Sequence, residues 1–159
     1  MAAADHPARH GGGDPTDPAE ACVFCRIAST DEPAEIVFAD DVAVAFLDVR
    51  PLFVGHTLVI PRRHLVTLAD LDDVGPFFER VRAISAAMPA ALGSQGTFVA
   101  NNNVVSQSVA HLHVHVVPRT RGDGLRGFFW PRTSYADGEM AATGVVLRDA
   151  LGDVAGAAD

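Results

Sequence analysis

The arrangement of apolar residues between residues 35 and 118 predicts five β-strands. Each predicted strand is a short run rich in β-branched and aromatic residues, with Asp, Asn, Gly or Pro near its ends. The first two runs are separated only by the dipeptide Asp40-Asp41, which indicates a hairpin. The five predicted strands are Glu35–Asp40, Val42–Asp48, His56–Pro61, Thr97–Asn102 and His111–Pro118.

A stripe of apolar residues at steps of three and four positions predicts one long helix between the third and fourth strands. Asp72 or Asp73 is expected to cap its start, and Pro89 and Gly93 are expected to end or kink it. Strands joined by tight turns, with helices packed on them, define an α+β domain with an antiparallel sheet. The stripe consists of Leu71, Val74, Phe77, Phe78, Val81 and Ile84. Two shorter helical segments are predicted at Cys22–Thr30 and Gly138–Leu151.

Length and composition indicate a single domain with tails. The chain has 159 residues, and 48% of them are hydrophobic, which is enough for a core. Residues 1–20 are rich in Ala, Gly, Pro and Asp without periodicity, and they are predicted to form a disordered N-terminal tail that contains His6 and His10. The folded domain is expected to cover residues 21–152, followed by a flexible C-terminal tail at 153–159.

Cysteine content and hydropathy indicate a cytoplasmic protein. The chain has only 2 Cys, too few for the disulfide framework of a small secreted domain. No apolar run is long enough to span a bilayer, and the N-terminal residues lack the apolar segment of a secretory signal. We therefore expect a cytoplasmic location and no membrane partner.

The charges exclude several function classes. The formal net charge is −8, from 20 acidic and 12 basic residues, and every basic residue is Arg. Without Lys, a Schiff-base lysine and a P-loop lysine are both excluded. The acidic total argues against a protein that coats nucleic acid, because such binding depends on many basic contacts to phosphate. A small anionic ligand is still compatible, because a local field can oppose the net charge.

Three of the 7 histidines alternate within five residues. In a strand, His111, His113 and His115 share one face at intervals of roughly 6.5–7 Å, and the apolar residues between them face the helix stripe. Such a row can supply a nucleophilic imidazole beside groups that act as acid, base or phosphate ligand. It can also bind a metal ion, or it can be a solvated strand face.

Neutral hydrogen-bond donors and basic residues flank this row. Gln107 and Ser108 precede it, and Asn101–Asn103 end the preceding predicted strand. Converging neutral donors suit a phosphate or a sugar better than a bare metal ion. Four arginines follow, opposed only by Asp123, although a solvated, ion-paired surface is the alternative for each of them. They are Arg119, Arg121, Arg126 and Arg132.

The segment SQSVAHLHVHVVPR is similar to the signature of the histidine-triad (HIT) family, and the likeness extends through CVFCRI, VFADDVAVAFLDVRP and GHTLVIPRRH. It covers about residues 21–120. The resemblance implies a HIT-like fold: a five-stranded antiparallel sheet with one long central helix and a short C-terminal helix, usually in a homodimer. It also implies hydrolysis or transfer at the α-phosphate of a nucleotide, with a purine nucleotide or its derivative as the expected partner.

Carried over by position, the resemblance gives the matching motif residues individual roles. His113 becomes the nucleophile that forms a nucleotidyl-histidine intermediate, and His115 contacts the phosphate and assists proton transfer to the leaving group. Gln107 and Ser108 hold phosphate oxygens, and Asp48 binds the ribose hydroxyls. Asn101 matches an asparagine near the phosphates. The apolar slot for the base is formed by Val23, Phe24, Ile27, Phe46 and Val49, for which ordinary core packing is the alternative, above all at Phe46.

One residue of the phosphate loop departs from the family pattern. Ser106 stands just before Gln107, where the family often has Gly. A side chain at this position can narrow the loop or change its turn. The departure concerns the loop geometry and leaves the nucleophile unaffected.

Cys22 and Cys25 form a C-x-x-C motif with several interpretations. A thioredoxin-like redox pair is disfavoured, because no βαβ pattern surrounds the motif. The resemblance implies a closed structural zinc site that adds His64 and the first histidine of the row, His111. Two reduced cysteines without a metal are the alternative. The remaining histidine of the domain, His56, is interpreted as structural.

Three functional hypotheses are compatible with these features. The first is a nucleotide hydrolase acting through His113 on phosphoramidates or on dinucleoside polyphosphates. The second is a metal-dependent hydrolase with the histidine row as ligands. The third is a nucleotide-binding regulatory protein with little turnover. Aromatic residues near the C-terminus can shape a leaving-group pocket or a dimer contact: Phe128, Phe129, Trp130 and Tyr135.

Overall fold

The structure, a computed structural model, describes residues 22–125 and 134–155. These residues belong to two units, one ending at Asp123 and the other beginning at Gly124. The predicted N-terminal tail and residues 156–159 lie outside the described residues, and so do Phe128, Phe129 and Trp130. The predicted domain limits therefore stay predictions.

The first unit is built on one five-stranded sheet. The strands are β1 (Ile36–Ala39), β2 (Ala43–Leu47), β3 (Thr57–Pro61), β4 (Gly96–Asn101) and β5 (Val114–Arg119). Their spatial order is β1-β2-β3-β5-β4, and every neighbouring pair is antiparallel. The predicted α+β class with a five-stranded antiparallel sheet is confirmed. The β3–β5 pairing is the one that positions the site, because it joins the segments on which the domain's histidines lie.

The start of β5 differs from the prediction. The strand begins at Val114, so His111 and His113 precede it and do not belong to the sheet ladder. The reason is a contact with a distant segment: the backbone N–H of Leu112 donates to the carbonyl of Leu65 at 2.6 Å, outside the sheet. The predicted alternation of faces still holds, since Leu112 and Val114 pack in the core.

Two helices cover the two faces of the sheet. Helix α1 (Val23–Ala28) is short, and helix α2 (Val74–Leu92) is long. Asp73 is the N-cap of α2, but its side chain makes no capping hydrogen bond. Pro89 lies inside the helix, and Gly93 ends it in the left-handed conformation with φ of 67°, which glycine adopts at no steric cost.

The core forms two layers because β2 and β3 are buried on both sides. Alternate residues of a strand point to opposite faces. One layer packs against α2 and contains Ala43, Ala45, Val59, Phe77, Val81, Met88, Leu112, Val114 and Val116. The other contains α1 and consists of Cys22, Phe24, Ile27, Ala28, Val44, Phe46, Leu58 and Ile60.

The second unit contains helix α3 (Glu139–Ala155), which continues four residues past the predicted end at Leu151. Its start is stabilised locally, because the backbone N–H of Ala136 donates to the Glu139 carboxylate at 2.7 Å. Among the described residues, no helix combines the length and the apolar character that a membrane crossing requires.

Candidate functional site

The first feature of the site is a cluster of two thiols and two imidazoles. Cys22 is the N-cap of α1 and Cys25 lies within it, while His64 follows β3 and His111 precedes β5. The Cys25 sulfur lies 3.2 Å from His64 Nδ1 and 3.4 Å from His111 Nδ1, and the Cys22 sulfur lies 3.6 Å from His111 Nδ1. The pairing of β3 with β5 thus places both imidazoles next to the start of α1, within reach of the two sulfurs.

These four residues fit a zinc ion. With bonds of about 2.3 Å to sulfur and about 2.0 Å to nitrogen, a tetrahedral zinc separates its S and N ligands by about 3.5 Å. The measured separations of 3.2 to 3.6 Å agree with this value. His111 is fully buried, and its Nε2–H donates to the Pro61 carbonyl at 2.9 Å. Its Nδ1 therefore carries the lone pair and faces the sulfurs.

Burial of His111 also keeps it neutral. Removal from solvent, opposed in part by the hydrogen bond to Pro61, lowers the pKa of His111 to about 4. At neutral pH the ring is therefore an acceptor at Nδ1, which is the form a metal ligand requires.

The second feature is a cleft of ≈ 490 Å³ beside this cluster. It is bounded by α1, the segment after it, the end of β2 and the start of β5. Its lining includes Asp48, Ser108, His113 and His115. It also contains every residue predicted for the apolar slot: Val23, Phe24, Ile27, Phe46 and Val49. Phe24, Ile27 and Phe46 are also core residues, so their packing role is observed and a role in base binding stays a prediction. Val49 is 92% exposed and lies at the rim.

His113 is held in one tautomer. Its Nδ1–H donates to the His111 carbonyl at 2.7 Å, so Nε2 carries the lone pair. The residue is 2% exposed, and the ring of Phe24 packs edge-to-face against it with centroids 5.3 Å apart. The amide of Asn101 donates to the His113 carbonyl at 2.9 Å. These contacts fix both the ring and its backbone.

His115 is positioned by His56, a contact that sequence reasoning missed. The Leu52 N–H donates to His56 Nδ1 at 3.2 Å, so His56 carries its proton on Nε2 and donates it to His115 Nδ1 at 3.0 Å. His115 therefore carries its own proton on Nε2. The register of β3 against β5, in which Leu58 is opposite His115, brings the two rings together.

Both of these rings favour the neutral form. Burial, with the neighbouring His113 and His56 rings acting in the same direction, lowers the pKa of His115 to about 4. Burial likewise lowers the pKa of His56, and the Asp48 carboxylate opposes that shift from 3.6 Å. At neutral pH His115 is thus a neutral hydrogen-bond donor.

The predicted phosphate-binding residues separate into two groups. Ser108 lines the cleft. Gln107 instead braces the loop: its Nε2 donates to the Val66 carbonyl at 2.6 Å, and its Oε1 accepts from the Val104 N–H at 2.8 Å. Neither Gln107 nor Asn101 belongs to the cleft lining. The structure therefore places these two beside the histidine row as supports.

Ser106 occupies a conformation that explains the family preference for Gly. Its φ is 61°, in the left-handed region that glycine adopts most easily, and Val104 two residues earlier has φ of 65°. The side chain of Ser106 is exposed, so it does not narrow the cleft.

Charged residues at the cleft include two that the sequence analysis did not single out. Asp48, which is predicted to bind the ribose, lines the cleft, and its Oδ1 accepts from the Arg50 N–H at 2.8 Å. Glu32 and Arg50 also line the cleft. Glu32 follows α1. The local sequence gives little indication that it lines a cleft, because a charged residue after a helix is usually exposed to solvent.

The model of the HIT domain family matches residues 29–122, so the chain belongs to the HIT family. An uncharacterized HIT-like protein of Borreliella burgdorferi is 40% identical over 112 residues, which cover 65% of this chain and 79% of that protein. The adenosine 5'-monophosphoramidase hnt1 of Schizosaccharomyces pombe is 30% identical over 125 residues, 77% of this chain and 92% of that protein. The adenylylsulfatase HINT3 of Arabidopsis thaliana is 35% identical over 108 residues, 65% of this chain and 55% of that protein.

Solved structures agree with this assignment. The crystal structure of a HIT family member from Bacillus subtilis superposes with a TM-score of 0.73 at 30% identity, over 80% of this chain and 95% of that one. A Zn-bound histidine triad family protein from Mycobacterium smegmatis gives a TM-score of 0.61 at 34% identity, over 87% of this chain and 99% of that one. The predicted family and its fold are confirmed.

Proposed function

We propose that the protein hydrolyses or transfers at the α-phosphate of a nucleoside 5'-phosphate derivative through a nucleotidyl-His113 intermediate. The observation that carries this proposal is the tautomer of His113: its Nδ1–H is bound to the His111 carbonyl, which leaves the lone pair on Nε2 of a buried ring that lines the cleft. Two relatives, an adenosine 5'-monophosphoramidase and an adenylylsulfatase, support the reaction class.

The first step forms a bond from Nε2 of His113 to the α-phosphorus. The bond from phosphorus to the leaving group breaks, and its electron pair departs with that group. His115 supports this departure as a neutral donor, because its Nε2 carries a proton that His56 fixes there. Water then attacks the phosphorus and gives up a proton, which restores the Nε2–H of His115. The P–N bond breaks, and the nucleoside monophosphate is released while the imidazole of His113 is restored.

The cleft provides the remaining contacts of a nucleotide. The apolar residues of α1 and β2 suit a planar base, and Phe24 and Phe46 are in edge contact with centroids 5.4 Å apart. Asp48 suits the ribose, because a carboxylate accepts from two hydroxyls. Ser108 suits a phosphate oxygen. We propose Gln107 and Asn101 as positioning residues, since their contacts are to the loop and to the His113 backbone.

We propose that Cys22, Cys25, His64 and His111 hold zinc. The donor separations and the Zn-bound relative support this assignment. Four protein ligands close the coordination sphere, so the metal supplies stability rather than an activated water. The proposed ligands are also connected with the cleft. The His111 carbonyl accepts a hydrogen bond from His113, and α1, which contains Cys25, contributes residues to the cleft lining.

The metal-dependent alternative has less support from the geometry. Within the described residues, the two groups of convergent metal-binding side chains contain His111 or His115, and neither contains all three histidines of the row. The third hypothesis, a binding protein without turnover, would use the same cleft, and the turnover assay distinguishes it from the proposal. A homodimer and a cytoplasmic location belong to the proposal and rest on the family resemblance and the sequence expectations.

A substrate panel tests the proposal. Purified protein is assayed on adenosine phosphoramidate, adenosine 5'-phosphosulfate and diadenosine tetraphosphate, beside His113→Ala and a His10→Ala control. The expected result is AMP release by the wild type and by the control, with loss of about a thousandfold or more in His113→Ala. Turnover that survives in His113→Ala, or that disappears reversibly with chelator on a folded protein, would support the metal-dependent alternative.

A further inference from the structure

One acidic side chain interrupts the apolar half of the cleft. The lining contributed by α1 and the segment after it is apolar except for Glu32. Asp48, the other carboxylate at the cleft, comes from the end of β2 and already accepts from the Arg50 N–H. A carboxylate beside a slot that suits a planar base can accept hydrogen bonds from the edge of that base.

Glu32 is held in place by the end of α1. Its backbone N–H donates to the Arg26 carbonyl at 3.2 Å, and the Arg26 Nε donates to its Oε2 at 3.3 Å. The side chains of both residues are 39% exposed, so the pair is partly desolvated at the cleft margin. A carboxylate oxygen has two lone pairs, and one bond from Arg26 leaves acceptor capacity on both oxygens.

Among the lining residues, Glu32 follows the end of α1 that is farther from His113. His113 packs against Phe24 in the first turn of α1, and Ile27 lies about 4.5 Å further along the helix axis. Glu32 follows the C-terminal end of that helix. A nucleotide with its α-phosphorus at His113 and its base along α1 therefore directs the outer edge of the base toward this carboxylate.

We infer that Glu32 reads the base and favours guanine, an inference that rests on the proposed function. The Watson–Crick edge of guanine offers two adjacent donors, N1–H and the N2 amino group, which match the two oxygens of a carboxylate. Adenine offers its N6 amino group beside the N1 acceptor, whose lone pair faces the negative charge. Uracil offers a single N–H between two carbonyls. Guanine is thus the base whose edge complements Glu32.

The test measures the dissociation constants of GMP, IMP and AMP, the proposed product class, by calorimetry. We expect GMP to bind about 5- to 10-fold more tightly than AMP. This ratio is at the low end for a bidentate contact to a base, because Glu32 is partly exposed to solvent. IMP, which keeps N1–H but lacks the amino group, is expected in between. Glu32→Gln should abolish the ratio, because an amide presents one acceptor and one donor and accommodates both purines.

Asp31→Asn is the matched control, because it removes one neighbouring carboxylate charge and Asp31 is outside the cleft lining. It should keep the wild-type ratio. An equal GMP-to-AMP ratio in the wild type and in Glu32→Gln overturns the inference while leaving the proposed function intact. Absence of binding of all three nucleotides to the folded wild type overturns both.

Discussion

Acidification is predicted to destabilise the protein through His115, and His115→Asn is predicted to remove that part of the loss. The folded state lowers the pKa of His115 from 6.5 to about 4, with burial as the main cause. The folded protein therefore binds this proton less readily than the unfolded chain. The contribution of neutral His115 to the free energy of unfolding is therefore fully present above pH 6.5, and it is lost as the pH falls from 6.5 toward 4.

The size of the effect follows from that shift. At pH 5 the linkage relation gives a loss of about 2 kcal/mol relative to pH 7.5. Because His115 borders an open cleft, solvent screening reduces the figure, and we expect about 1–2 kcal/mol. Asn at this position keeps an acceptor for the His56 Nε2–H but cannot take up the proton.

Urea denaturation at about pH 7.5 and about pH 5 measures the difference. Chelator is present in all samples, so the metal-free His111, which has no resolved interaction with His115, contributes equally to both proteins. The Asn side chain keeps the hydrogen bond from His56, which limits the change at that ring. The variant should lose about 1–2 kcal/mol less than the wild type between the two pH values. An identical loss in both proteins would refute the assignment of a depressed pKa to His115.

Three further variants probe the metal cluster, the loop and the ribose contact. Cys25→Ser is expected to lower bound zinc to well below one equivalent and to weaken AMP binding, since Cys25 contacts both imidazoles and shares α1 with Phe24; full zinc retention by metal analysis would contradict this. Val104→Gly is expected to raise the free energy of unfolding by about 0.5–1 kcal/mol, because a β-branched residue at φ of 65° is strained; a lower melting temperature would contradict it. Asp48→Asn should reduce the preference for AMP over 2'-deoxy-AMP, and an unchanged preference in competitive binding would rule out a ribose contact.

The sheet could be predicted from the sequence because its strands are short, apolar and separated by clear turns. β2 and β3 contain runs such as Ala43–Leu47, whose residues are almost all buried from both sides. The long helix was also predicted, because Phe77 and Val81 repeat at helical spacing and pack on the sheet, whereas Leu71 precedes the helix and Val74 is exposed. Family resemblance then gave the fold as a whole.

The start of the strand in the histidine segment could not be predicted from periodicity alone. Strict alternation predicted a strand from His111, but the Leu112 N–H is bound by Leu65, a residue 47 positions earlier. Such a non-local bond ends the ladder without changing which side each residue faces. The spacing therefore gave the correct faces for the histidines and the wrong strand boundary.

The supporting residues were harder to predict than the residues of the row. His56 was interpreted as structural, yet the β3–β5 register brings it to His115. Gln107 was assigned to phosphate by resemblance, and that role stays a prediction; the contacts of its side chain with Val66 and Val104 across the loop were not predicted. The register of two strands and the side-chain contacts that hold a loop both depend on segments that are far apart in the sequence. The local pattern of residues does not predict such contacts.

The central claim is tested most directly by trapping the intermediate. Wild-type protein is mixed with adenosine phosphoramidate, quenched within the first turnover, digested and mapped by mass spectrometry under conditions that preserve P–N bonds. The account predicts an adenylyl group on the peptide containing His113, attached at that residue, and its absence in His113→Ala. Sustained AMP release by the wild type without any adduct on His113, or with the adenylyl group on a different residue, would contradict it.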